Sequence, residues 1–315
     1  MRRLALFALL AGCNDNLPIA SFVDKLRVLA IQASPAEVAP GEVARLSPLV
    51  VGGTGALSAL WLACRTDPTA PSTHPCGIDE LDGSALPDAC GAQANGATCA
   101  LDDQLYTTVT AAGSLVGSDG TGQLLVTLVV ADTGSAADCY LGTLKNSGLP
   151  TEPDHCVIAY KRVSLATTPT NHNPEIAGFT FTEKGGAVQS LLTGEATASL
   201  SSSTKHRTTD TLGMVRADDA AEVEADGSYE NLALSWFTDA GAIDGGRSSF
   251  DPPSCGSQTQ CAMKEPLTSA TTDWKAPTAD ERTTQAPDGR VRFWAVLRDD
   301  RGGVGWRSGA LTLTP

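Results

Sequence analysis

Few residues in this 315-residue chain are of types that do acid–base or nucleophilic chemistry, and their spacing limits what that chemistry can be. The four histidines, His74, His155, His172 and His206, all sit in polar, turn-like sequence. None falls in an H-E-x-x-H or similar metal-ligand spacing. The chain has no G-x-S-x-G elbow, no Walker loop and no G-x-G-x-x-G after a strand. Its densest run of carboxylates is "RADDAAEVEADGSYE", with Asp218, Asp219, Glu222, Glu224, Asp226 and Glu230. Clustered oxygens suit a hard cation such as calcium, but the D-x-D-x-D-G spacing is missing, so a solvated acidic loop is the favoured account. Asp299 and Asp300, just before Gly302-Gly303, read as turn caps rather than as a calcium loop. Trp61, Trp236 and Trp294 lie in apolar strands and read as core, whereas Trp274 and Trp306 leave open an exposed pair that binds a ligand. The pattern implies no catalytic residue, no metal and no cofactor.

Cysteine is the remaining reactive type, with nine copies, and Cys13 stands apart. Arg2 and Arg3 give a positive start, and Leu4 to Leu10 form an uninterrupted apolar run. That run is too short to span a bilayer, which takes about 20 residues, but it suits the apolar segment of a secretory signal, about 7–15 residues long. Leu10-Ala11-Gly12-Cys13 resembles the bacterial lipobox. The resemblance implies thioether lipidation of Cys13, cleavage before it and acylation of the new amino group. Small residues there let a peptidase bring extended backbone close to a lipid-modified thiol. Two or three acyl chains hold a protein on a membrane where one binds only marginally. Residues 1–12 are expected to be a lipoprotein signal peptide and residues 13–24 a lipidated tether. The expected compartment is the cell envelope, with the outer membrane favoured and the N-terminal lipid as the contact with the membrane.

The other cysteines are Cys64, Cys76, Cys90, Cys99, Cys139, Cys156, Cys255 and Cys261, an even number in an oxidising compartment, where disulfides are the default. Zinc is the competing reading. Neither the gap from Cys64 to Cys76 nor that from Cys90 to Cys99 has the two-to-four-residue spacing of a zinc knuckle. Cys139 and Cys156 bracket the loop between two strands and are expected to staple it. Cys255 and Cys261 share an insert after Trp236 and are expected to pair with each other. Cys64, Cys76, Cys90 and Cys99 lie in or beside an insert after Trp61 and are expected to pair among themselves, in an order the sequence leaves open.

The elements that must hold these residues are short strands. Gly 31 and Pro 18, with abundant Thr, Ser, Ala and Val, favour strands joined by turns. A hydrophobic content of 42% is enough for a core. The formal charge of −14 repels nucleic acid and anionic headgroups, so neither is an expected ligand. One order of strands occurs twice. "KLRVLAIQASP", "EVARLSPLVVG", "ALSALWLACR", "GQLLVTLVVADTG" and "CVIAYKRVSLATTP" make the first half. "NPEIAGFTFT", "ENLALSWFTDAG", "GRVRFWAVLRDDRGG" and "GWRSGALTLTP" make the second. In the penultimate strand of each half a glycine precedes an aspartate by ten residues: Gly122 and Asp132, then Gly289 and Asp299. Each half carries a Trp on an earlier strand, and "ATTPTNHNP" between the halves has the composition of a linker. This pattern predicts an all-β chain of two antiparallel sandwiches, spanning residues 25–168 and 169–315, with Cys-rich loop inserts.

These segments resemble immunoglobulin-like and polycystic-kidney-type β-sandwich modules. "PGEVARL" looks like the opening of the second strand, "SALW" and "ALSW" like the central strand with its core Trp, and "VRFWAVLRDDRGGVG" like the penultimate strand and its acidic-glycine turn. The Gly-Asp-Gly usual near the Trp of the polycystic-kidney type is absent, and no Cys sits on the penultimate strand to bridge the sheets. A lipobox combined with "VDKLRVLAIQASP", "LSWFTDAG" and "WAVLRDDRGGVGW" is similar to surface lipoproteins of myxobacterial type. The resemblance implies a non-enzymatic binding or scaffolding module whose partner is an envelope protein or glycan. The alternatives are a structural or accessory subunit of an envelope or secretion complex and, behind it, a glycan-binding accessory or a hydrolase with a site in the Cys-rich insert.

Overall fold

The computed structural model describes residues 20–65, 100–101, 104–110, 116–145, 154–199, 209–252 and 262–314. Cys13, Cys76, Cys90, Cys99, Cys255, Cys261, His74 and His206 lie outside the described residues, and only the backbone of Cys64 falls within them.

The first half contains β1 (Arg27–Ser34), β2 (Glu37–Val38), β3 (Val43–Val51) and β4 (Ser58–Arg65). After these come β5 (Ala100–Leu101), β6 (Gln104–Leu105), β7 (Thr107–Thr110), β8 (Thr121–Ala131), α1 (Ala136–Lys145) and β9 (Cys156–Ala166). One sheet has the order β1-β3-β7 and the facing one β2-β9-β8-β4, while β5 and β6 pair with each other. The second half contains β10 (Ile176–Thr182), β11 (Val188–Ser190), β12 (Ala196–Ser199), β13 (Thr209–Arg216) and β14 (Ala233–Thr238). It continues with β15 (Ala242–Asp244), β16 (Arg247–Ser249), β17 (Ser269–Lys275), α2 (Ala279–Gln285), β18 (Arg290–Arg298) and β19 (Val304–Thr314). Its sheets have the orders β11-β10-β13-β17-β15 and β12-β19-β18-β14-β16.

The chain is therefore all-β, with two sandwiches of immunoglobulin-like topology. In both, the strand bearing Trp61 or Trp236 pairs with the penultimate strand, which pairs in turn with the last. One feature departs from a purely antiparallel reading. The short strands β2 and β12 lie in the sheet opposite β1 and β10, and each runs parallel to the last strand of its half. After β1 the change of sheet falls at Pro35, which has no N–H to give to a ladder.

Alternation sets the cores. Trp61 packs with Leu46, Val126, Leu128 and Val163 between the sheets of the first sandwich. Trp236 and Trp274 are fully buried in the second. Trp274 meets Phe181 and Phe293 edge-on, at centroid distances of 6.0 and 5.2 Å, and its Nε1 donates to the Ala240 carbonyl at 2.9 Å. It is a core residue and not half of an exposed ligand-binding pair.

β8 is buried on both faces from Leu124 to Ala131, because α1 roofs the outer one. Leu60, Leu62 and Val129 pack there against Ala136 and Tyr140. Ser135 starts the helix: its Oγ accepts the Asp138 N–H at 3.0 Å and donates to the Asp138 carboxylate at 2.7 Å. The Cys139–Cys156 disulfide, with Cα atoms 6.0 Å apart, ties this helix to the first residue of β9, as the spacing led one to expect. The bridge spans a sequence separation of 17. Closing such a loop removes roughly 3 kcal/mol of unfolded-chain entropy. Replacing both cysteines by Ser is expected to lower unfolding stability in urea by about that amount and to speed amide exchange in α1 before the strands. Unchanged exchange in α1 would mean that its packing alone holds the roof in place.

Candidate functional site

The two sandwiches meet in a continuous apolar contact. Val23, Leu29, Ala30, Leu49 and Val51 pack against Phe237, Trp294, Val296, Val304 and Trp306, on the outer face of β14, β18 and β19. Trp294 and Trp306 are thus half-buried between the sandwiches, where neither serves a sandwich core nor stands free. The segment expected to end a tether belongs to this contact. Ser21 and Val23 are buried, Val23 N donates to Thr238 O at 2.8 Å, and Thr238 N donates to Ser21 O at 2.9 Å.

Polar groups fix the register. Gln32 Nε2 donates to Val304 O at 2.6 Å and Arg298 Nη2 to Leu29 O at 2.6 Å. Asn173 reaches both sides, accepting from Val304 N at 2.9 Å and donating to Ala33 O at 2.7 Å. Glu37 accepts the N–H groups of Thr170 and Asn171 at 2.7 and 3.2 Å, so the linker-like stretch is pinned to the first sandwich.

At the centre lies the turn that follows β18. Asp299 is buried, and its Oδ1 accepts the Gly303 N–H at 2.7 Å. Across the joint, Ser164 Oγ donates to Arg301 O at 2.7 Å, and the ammonium of Lys161 donates to Gly302 O. Arg301 binds Glu230 through Nε and Glu222 through Nη2, and donates to Thr170 Oγ1 at 3.0 Å through Nη1. His172 Nδ1 meets the other oxygen of Glu222. The turn is crowded enough to need glycine. A Cβ at Gly305 would collide with the Pro174 carbonyl oxygen, and one at Gly303 would collide with the Asp299 carboxylate.

This environment displaces the titration of the groups in it. Burial pushes Glu230 up to about 7, against the pull of Arg301. Burial lowers Lys161 to about 8, with the nearby Asp299 charge opposing the shift. Asp299 is also raised by burial, while backbone N–H groups of its own turn pull it back. Its Oδ2 has no hydrogen-bond partner among the described residues, and neither do the side-chain atoms of the buried Asn171. A shallow depression lined by Tyr229, Phe250, Pro252, Ala262 and Pro266 lies beside Glu230.

The expectation of a solvated acidic loop holds for Asp226, which turns back onto Ser228, and fails for Glu222 and Glu230. Asp132, the counterpart of Asp299, is a turn cap as well. It accepts from Thr54 N at 2.9 Å and meets His155 Nδ1 at 2.9 Å, all inside the first sandwich. Lys161 was missed, although its alternation gives it away: Val157, Ala159, Lys161, Val163 and Leu165 share the inward face of β9. Among the described residues, no group of three or more His, Cys, Asp or Glu is arranged to hold a metal ion.

No family model matches this chain, and no curated protein matches it. Several solved structures align with most of this chain. The fibronectin(III)-like modules of CbhA from Clostridium thermocellum align at 9% identity over 90% of this chain and 94% of theirs, with a TM-score of 0.22. Murine CEACAM1b aligns at 12% identity over 90% and 99%, with a TM-score of 0.22. The adhesin InvE of Yersinia pseudotuberculosis aligns at 9% identity over 91% and 60%, with a TM-score of 0.21. At scores this low the immunoglobulin-like assignment rests on strand order and the two core tryptophans.

The raised pKa of Glu230 sets the sign of a pH effect. Its folded value, about 7, lies above its ordinary 4.5, so its contribution to stability is complete below pH 4.5 and is lost as pH rises through 7. Lys161 works in the opposite sense, its contribution being complete above 10.5 and lost as pH falls through about 8. Between these values both are charged and the joint is at its weakest. The melting temperature is therefore expected to rise on going from about pH 7.5 to about pH 5.5, and Glu230→Gln to raise it at pH 7.5 and flatten that rise. A variant that melts lower at pH 7.5 would assign net stabilisation to the ion pair. Gly305→Ala is expected to loosen the joint, read as faster proteolysis between the sandwiches while each sandwich core keeps its amide protection.

Proposed function

We propose that this chain is a lipid-anchored, non-enzymatic protein of the cell envelope, in which two locked sandwiches form a scaffold that presents loops and inserts to an envelope protein or glycan. The observation that carries this reading is what the unusual ionisable groups do. Lys161, Arg301 and Glu230 contact main-chain carbonyls across the joint or one another, and Asp299 caps the turn between them. Displaced pKa values often mark catalysis, but a structural ion-pair network displaces them equally. Here the geometry accounts for them as fastening.

An apolar contact between sandwiches, crossed by hydrogen bonds, opposes the relative motion that is the default for tandem domains. The ends of the pair are thereby held at a set distance, which suits presentation of a binding surface. The same rigidity fits the second reading, a structural or accessory subunit of an envelope or secretion complex. Anchoring rests on the lipobox-like sequence ending at Cys13, and among the described residues no helix is long and apolar enough to cross a membrane.

Two measurements test the proposal. Cys13→Ser is expected to move the protein from the membrane fraction to the soluble fraction, and a variant that stays in the membrane and still takes up a palmitate analogue would refute the anchor. Deleting residues 66–98 is expected to abolish retention of the protein's envelope partner on beads. Unchanged retention would move the binding surface to another loop, and turnover that disappears with a single Asp or Glu substitution would overturn the non-enzymatic reading.

A further inference from the structure

The chain enters the fold by way of the second sandwich, although the first sandwich comes first in sequence. Ser21 and Val23 exchange main-chain hydrogen bonds with Thr238 at the end of β14, and Phe22 pairs with Thr238 in parallel. Arg27 then clamps the segment: its Nη1 donates to Ala20 O and Phe22 O at 2.8 Å each, and its guanidinium lies 5.7 Å from the centre of the Phe237 ring. The Cβ of Ser21 lies 3.0 Å from where a Cβ on Gly246 would stand, next to the exposed Arg247. Only at Arg27 does β1 of the first sandwich begin.

Six residues lie between Cys13 and Ala20, a reach of at most about 25 Å when fully extended. A lipid on Cys13 therefore holds this flank of the second sandwich close to the bilayer. Charge orients it further. Three carboxylates at this end are paired, Asp239 and Asp288 with Arg292 and Asp244 with Lys275, while Asp24 and Asp273 are exposed. The acidic stretch from Asp218 to Glu230 lies at the opposite end of β14, beside Arg301. From Ala233 to Thr238 is about 17 Å along the strand. Anionic headgroups repel the stretch with six carboxylates more strongly than the end where Ser21 docks.

We propose that the flank of the second sandwich around Asp24 and the Thr238 end of β14 is the membrane-facing surface of the protein, with the acidic loop at Asp226 turned away from the bilayer. The inference rests on lipidation of Cys13. The test uses the full lipidated chain in vesicles whose headgroups carry an energy-transfer acceptor. A fluorescent amino acid replaces either Asp24, exposed beside Val23, or Ala225 in the exposed acidic turn. Transfer from position 24 is expected to exceed that from position 225 by about two-fold or more, given the strand length between them. Adding Arg27→Ala, which frees the segment, is expected to shrink the difference. Equal transfer from both positions, or more from position 225, overturns the orientation while leaving the anchor standing. An N-terminal peptide whose mass shows no acyl chain overturns the anchor itself and the orientation with it.

Discussion

The guanidinium of Arg301 is held by two carboxylates of its own sandwich while its main-chain carbonyl is held by Ser164 of the other. Everything else in the joint follows from making that position tenable. A turn carrying Arg301 and Asp299 cannot be pressed against a neighbouring sheet unless its charges find partners there, because desolvating an unpaired charge costs several kcal/mol. Glu230 and Glu222 accept hydrogen bonds from the side chain, Asp299 folds back onto the Gly303 amide, and the outward carbonyls of the turn become acceptors for Lys161 and Ser164. The apolar contact of Leu29 and Val51 with Val296 and Trp306 supplies attraction without direction. The polar contacts supply direction, since a docking displaced by one residue would leave a buried ion or amide with nothing to bind.

Much of the fold was legible because it repeats. Two apolar runs of equal length, each closed by a buried aspartate, mark the penultimate strands, and Trp61 and Trp236 mark the strands beside them. The helix α1 was not legible. It occupies a Cys-bearing loop of polar and small residues, and its burial comes from the outer face of β4 and β8, which a sequence read for inward-facing alternation treats as exposed. The joint was hidden for a related reason. Glu230 looks like one carboxylate in an acidic loop, and what makes it different is Arg301, which is 71 residues away in sequence. Trp294 and Trp306 carried a partial signal. Large aromatics on the outward positions of a sheet need a cover, but pattern alone cannot say whether the cover is a ligand or another part of the chain.

Fastening the sandwiches in this way changes what the protein can present. Had residues 20–24 and 167–174 been loose connectors, each sandwich would have faced its surroundings independently. Instead both stretches are hydrogen-bonded into the joint, through Thr238 on one side and Glu37 on the other. The ends of the two sandwiches then belong to a single body, and their relative placement is a property of the fold.

The two aspartates show how one local solution serves two ends. Asp132 is held below the usual carboxylate range: burial opposes ionisation, but bonds from Thr54 and His155 outweigh it. Asp299 ends the matching strand and is raised, because its turn is covered by the first sandwich and one of its oxygens finds no donor among the described residues. The first turn closes on its own loops and is complete without a neighbour. The second also caps itself, yet it turns the carbonyls of Arg301 and Gly302 outward, and these are satisfied by Ser164 and Lys161 only when the other sandwich is in place. A strand-end aspartate that is a simple cap in one sandwich thus becomes, in the other, the support of the contact that makes two sandwiches one body.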